Sequence, residues 1–244
     1  MPPAGAGPTS FGPPLYVPAA PGGGFRSPRS AALVAAIAIG LAGLLTLACL
    51  AVDLVWLAKV DETASYETAL NVAETMDALS VIQLVGVLAG AVAFIVWFHR
   101  AYGNLPTLGI AKPRYARGWA IGAWFVPFAN LIIPKHIAND VWRAGDPELD
   151  PGEPGWRKRR VAGAIHLWWA TYLAWGVLVR IGTGMLDDAV GFEQARDAVT
   201  VDAIGQALGI VAALAAVWVI WHSSERQDAR ASAMRAAGPL PAVA

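Results

Sequence analysis

A single cysteine, Cys49, leaves this 244-residue chain with no partner for an intramolecular disulfide. Cys49 follows Thr46-Leu47-Ala48 deep in an apolar run, a poor lipoprotein cleavage site, so it is expected to be packed. Charge is scarce as well: charged residues make up 15% of the chain, and 18 Lys and Arg balance 18 Asp and Glu. Enzyme signatures are missing, with no phosphate-binding loop, no Gly-x-Ser-x-Gly elbow, no His-Glu-x-x-His and no dinucleotide fingerprint. His99, His136, His166 and His222 show no His-x-x-x-His spacing and have no second thiolate nearby, so neither metal nor haem is expected. The acids of residues 146–153 are interrupted by prolines, out of register for a calcium loop, and predict a solvated connector. No stacking platform accompanies the basic run 157–160, which argues against nucleic acid as a partner. The expectation is a non-enzymatic protein without catalytic, cofactor-binding or metal-binding residues.

What the chain has is long apolar runs, in a composition that is 56% hydrophobic. Residues 31–57, 79–98, 161–182 and 199–221 are each long enough to cross a hydrocarbon core of about 30 Å, which takes roughly 20 helical residues. Backbone in lipid must satisfy its own hydrogen bonds, so these runs are helices. The alternating ten-residue segments of a barrel are absent. Three regions follow: a tail over 1–29, a helical membrane domain over 30–224, and a second, short tail over 225–244 that is small, polar and Pro-terminated and is expected to be disordered. The first tail mixes Pro and Gly with Phe11, Tyr16 and Phe25. It has too little apolar surface to offset the entropy of ordering, and it is expected to be disordered. Its Pro-rich stretches are pre-extended and suit a protein partner with an aromatic-lined groove. The first apolar run starts too late and runs too long for a signal peptide.

A fifth segment, 118–144, reads GWAIGAWFVPFANLIIPKHIANDVWRA. Pro127, Asn130 and Pro134 stand where a simple span would hold Leu or Val, and residues 118–134 would rise only about 26 Å as a helix. Charge decides its path. If it crosses, five spans divide the basic residues almost evenly between the two sides. If it enters and returns, four spans place nearly every Lys and Arg on one side, with only Lys59 and Arg196 opposite. The positive-inside rule therefore favours four spans with both termini cytoplasmic, in the plasma membrane of a bacterium; five spans are the runner-up. Trp97, Trp119, Trp142, Trp156, Trp218 and Trp221 fall near the inner interface on this reading. Asn130 is expected to hydrogen-bond carbonyls freed by the prolines. Pro134 opens a short amphipathic helix, with Lys135 at its start, that is expected to lie on the inner leaflet. The fold class is thus an all-α integral membrane protein with four transmembrane helices and a Pro-broken re-entrant or interfacial segment.

Two motifs carry a resemblance. Trp97-Phe98-His99-Arg100-Ala101-Tyr102-Gly103-Asn104-Leu105-Pro106 together with the 118–144 segment resembles an actinobacterial membrane family, that of domain of unknown function 4328, over roughly residues 75–222. The resemblance implies a multi-span membrane protein and supplies no catalytic residues.

Among ionisable groups near the spans, Asp53, Arg180 and Asp202 fall towards the outer helix ends, where charge is less costly. An Arg180–Asp202 pair joined by Asp53 is expected. His166 is the histidine most clearly inside a span. The spacings Gly86/Gly90, Gly118/Gly122 and Gly205/Gly209 let helices approach closely, and they are read as packing within the chain before faces between copies in a homo-oligomer. The leading functional reading is a membrane scaffold or regulatory component in contact with the lipid bilayer. The alternative is a small transporter or channel subunit built on the broken segment around Asn130.

Overall fold

The computed structural model describes residues 24–60 and 66–237. Among them there are helices and no strands. Four long helices dominate: α1 (Arg29–Lys59), α2 (Tyr66–Gly103), α5 (Gly163–Asp187) and α6 (Phe192–Ala236). Two short ones, α3 (Trp119–Gly122) and α4 (Ile133–Ala144), lie between α2 and α5. The long helices pack in the spatial order α2, α1, α6, α5.

Contacts at the helix ends set the directions. Arg29 at the start of α1 pairs with Asp228 near the end of α6 at 2.8 Å, and Arg100 near the end of α2 donates to Ser30 at 3.0 Å. At the opposite end, Arg196 early in α6 donates to Leu57 O at 3.2 Å. The bundle therefore runs up and down, with the start of α1 beside the ends of α2 and α6.

By length and composition, α1, residues Glu74–Gly103 of α2, and α6 can each cross a membrane. The apolar side chains they expose, such as Leu33, Val81, Leu88 and Leu214, suit contact with lipid. The expected fourth span, 161–182, forms α5, but α5 is not in that apolar set. Trp168, Trp169, Tyr172, Trp175, His166 and Arg180 lower its mean hydropathy.

Several glycines act at helix crossings. A Cβ on Gly86 would meet Leu45 at 2.7 Å, and one on Gly209 would meet Trp175 at 2.8 Å. Gly118 and Gly122 face open space within the chain. Two of the three Gly pairs thus work inside the chain.

The second tail differs from expectation. Residues 225–236 continue α6 instead of forming a disordered tail, and Gln227, Arg230 and Ala231 are buried. Ser223, Ser224, Gln227 and Arg230 line one face at helical spacing. They anchor a cap of polar loops. Trp97 Nε1 donates to Ser224 Oγ at 2.9 Å, and Gln227 Nε2 donates to Ala101 O at 2.9 Å. Asn104 Nδ2 donates to both Gln227 Oε1 and Arg26 O, so Arg26 is held in place. The rest of the first tail, residues 1–23, lies outside the described residues.

The loop 145–162 is exposed over much of its length, yet it is tied down by ion pairs. Arg159 binds Asp146 at 2.9 Å and Glu153 at 3.0 Å, and these acids hold its guanidinium above its ordinary range. Trp97 and Trp156 are buried against the protein.

Candidate functional site

The broken segment is the first place where candidate residues meet. Its two flanks lie side by side: Tyr115 OH and His136 Nδ1 are 2.8 Å apart and their rings stack. Between them Trp124 packs edge-on against Phe94 at 5.7 Å and Tyr172 at 6.1 Å. Phe94 is nine residues from the end of α2, and Tyr172 nine from the start of α5, so Trp124 sits about 13 Å up from these helix ends. Pro127 is exposed, whereas Pro134 is buried in the first turn of α4. Asn130 contributes through its backbone: its N–H donates to Val126 O at 3.1 Å. Phe128 takes φ 62°, a rare conformation for a bulky residue, and exposes its ring.

Helix α4 departs from expectation. Its apolar face, Ile137, Ala138, Val141 and Ala144, is buried on the protein core instead of on lipid. The bundle offers this face an aromatic wall, so the leaflet is not needed to cover it. The same burial traps Asp140, which is fully buried between Arg114 at 3.4 Å and Arg143 at 3.7 Å. Burial pushes its carboxyl up to about 6 against the pull of these arginines. Lys135 is half-buried and donates to Asn139 Oδ1 at 3.0 Å; burial, and then Arg143, push its ammonium down to about 8. Burial together with Arg114 and Lys135 also lowers His136. His166 is exposed in the first turn of α5, close enough to Lys135 and Arg143 to feel their charge.

A second constellation lies within the bundle. Asp53 of α1 and Asp202 of α6 approach each other, and Asp53 is 3% exposed with its Oδ2 left without a hydrogen-bond partner among the described residues. The expected Arg180–Asp202 pair is absent from the ion pairs of the described residues. Gly182 is the α5 residue that abuts the Asp202 backbone, at 3.0 Å for a Cβ built there. Arg180, two residues earlier, is about 200° around the helix and exposed. From Asp202 a chain of amides leads inward. Gln206 Nε2 donates to Asp202 Oδ2 at 3.2 Å, and Gln83 Nε2 donates to Gln206 Oε1 at 2.8 Å and to Thr46 Oγ1 at 3.1 Å. Thr46 also lines an apolar cavity of about 150 Å³ walled by Phe94, Trp124, Trp168, Tyr172 and Trp175.

Thr46, Gln83 and Gln206 were not foreseen. Their signal was present: uncharged polar side chains inside apolar runs, which charge bookkeeping passes over. Arg230 was also missed. It is 1% exposed and donates to Leu108 O at 2.9 Å, Asp146 O at 2.6 Å and Leu149 O.

The model of one family, described as Domain of unknown function (DUF4328), matches residues 61–225. The chain belongs to this family. No curated protein and no solved structure matches it. The DUF4328 match takes in α2, the broken segment, α4, α5 and the apolar part of α6. It therefore includes Gln83, Lys135, Asp202 and Gln206, while Thr46, Asp53 and Arg230 lie outside it.

Proposed function

We propose that this DUF4328 protein is a non-enzymatic scaffold or regulatory component of a bacterial plasma membrane. It has four spans, with α5 as the fourth, and both termini face the cytoplasm. Residues 118–134 enter and leave the membrane on the cytoplasmic side. The observation that carries this topology is the Tyr115–His136 contact, because both flanks of the segment stand at one end of the bundle. The depth of Trp124 among Phe94 and Tyr172 supports entry into the hydrocarbon region. Helix α5 has the length for a span, and its aromatic side chains turn inward, where protein and not lipid receives them. The scaffold reading draws on the cap. Its polar groups are spent on holding loops in place, and it presents a fixed cytoplasmic surface beside the Pro-rich tail.

Partner capture from membranes tests the scaffold reading. Deleting residues 1–23 spares Arg26, Ser27 and Arg29, which bind the cap. Capture unchanged by that deletion would count against the tail as the contact.

A small transporter or channel subunit is the second reading. It is favoured by the amide chain that leads from Asp53 and Asp202 to the cavity at Thr46. Flux in reconstituted vesicles that falls on Gln83→Leu or Asn130→Leu would support it, and no flux over a broad panel would weaken it.

A further inference from the structure

Cations on α4 outnumber the acids that could answer them. Lys135, Asn139 and Arg143 are spaced four apart and form one stripe along the helix. Lys135 is half-buried, but among the described residues it meets no carboxylate, and its Nζ donates to the neutral Asn139 Oδ1. Asp140, the one acid of α4, faces inward and answers Arg114 and Arg143, with Arg157 also in range. Arg143 turns its Nε to Arg159 O at 2.8 Å. His166 and His136 border the stripe and bring no negative charge. A half-buried ammonium beside an arginine is costly unless an anion arrives.

The surroundings identify the anion. Immediately before the stripe the chain exposes Phe125, Phe128, Leu131 and Ile132, with Phe125 74% and Phe128 81% open. Water disfavours so much aromatic surface, whereas acyl chains receive it. A phosphate on the stripe with hydrocarbon against this rim is the layout of a lipid at the membrane boundary. A free phosphate would satisfy the cations and leave the rim bare.

We propose that Lys135, Asn139 and Arg143 bind the phosphate of an anionic membrane lipid, with its acyl chains against Phe125, Phe128, Leu131 and Ile132. The site rests on the reading that 118–134 lies in the cytoplasmic half of the bilayer. Anionic lipid would then fix the re-entrant segment at its depth by binding both its apolar tip and its basic exit.

Native mass spectrometry of the full chain tests the site, after delipidation in mild detergent and incubation with phosphatidylglycerol or phosphatidylcholine. Retained phosphatidylglycerol should exceed phosphatidylcholine, and the excess should fall about fivefold in each of Lys135→Gln and Arg143→Gln. Lys135→Arg should keep it, as should Lys158→Gln in the neighbouring basic run. Equal retention of the two lipids by the wild-type chain overturns the proposal without recourse to any variant. So does an excess that survives both Gln substitutions, or one that falls equally in Lys158→Gln. Displacement of the lipid by millimolar inorganic phosphate would assign the cations to a free anion and also overturn it. Reporter fusions that place residue 160 outside would instead refute the topology, and the detergent measurement does not depend on them.

Discussion

Arg230 shows how one side chain can organise an end of this molecule. Its guanidinium offers several donors in a rigid fork and gathers carbonyls from two separate loops, at Leu108, Asp146 and Leu149. Arg230→Ala would leave those carbonyls buried without donors, at a cost of about 3 kcal/mol or more. Arg230→Lys should recover little, since one ammonium cannot span the same acceptors. Thermal unfolding in detergent, with limited proteolysis of residues 106–160, measures both. Asp140 makes a pH-dependent contribution of the opposite kind. Its carboxyl ordinarily sits near 3.8 and is held at about 6 in the fold, chiefly by burial. The folded state therefore binds the extra proton, so this contribution is fully present below about 3.8 and is lost as pH rises through 6. Relative to Asp140→Asn, the wild-type chain should gain roughly 1–3 kcal/mol between pH 7 and pH 4. A difference between the two that stays flat over that window would show that Asp140 ionises freely.

At the scale of elements, α6 carries the largest departure from expectation. It spans 45 residues, and its last turns pack against α2 and the loops instead of ending at the membrane surface. Truncation after Ser224 should therefore destroy the cap, whereas truncation after Ala237 should leave the melting temperature nearly unchanged. Similar protease sensitivity in the two truncated chains would mean that the extension is dispensable. The crossing at Gly209 offers a packing test. A side chain there must displace Trp175 and Thr46, so Gly209→Leu should separate α5 and α1 from α6 and cost about 1–3 kcal/mol. Gly122→Leu is the control, because nothing lies within 4 Å of a Cβ there.

For the whole molecule, the prediction is a topology. Reporter fusions after Arg160 and at the C-terminus should both read as cytoplasmic, and a cysteine at residue 190, between α5 and α6, should be labelled only from outside. An external reading at either fusion would remove the re-entrant path and with it the four-span bundle. The apolar runs and the break at Pro127 and Pro134 were legible because each depends on local composition read against a bilayer's thickness. The intramolecular use of Gly86, Gly90, Gly205 and Gly209 was legible for a similar reason, since small residues at helical spacing mark close approach. What the chain alone could not disclose is which side chains meet. Arg180 and Asp202 look like partners until helix rotation turns one to the outside and the other towards Asp53. The face of α4 looks made for a leaflet until the aromatic wall of the bundle covers it. Residues 225–236 look like a tail because their apolar content is low, yet Gln227 and Arg230 find their partners 81 to 126 residues away. Sequence by itself determined that this chain carries helices long and apolar enough to cross a membrane and roughly where they lie, because both follow from average hydropathy over a run of residues. Tertiary structure alone decided the pairings, because buried polar groups choose partners by distance and orientation, and neither is written in local composition.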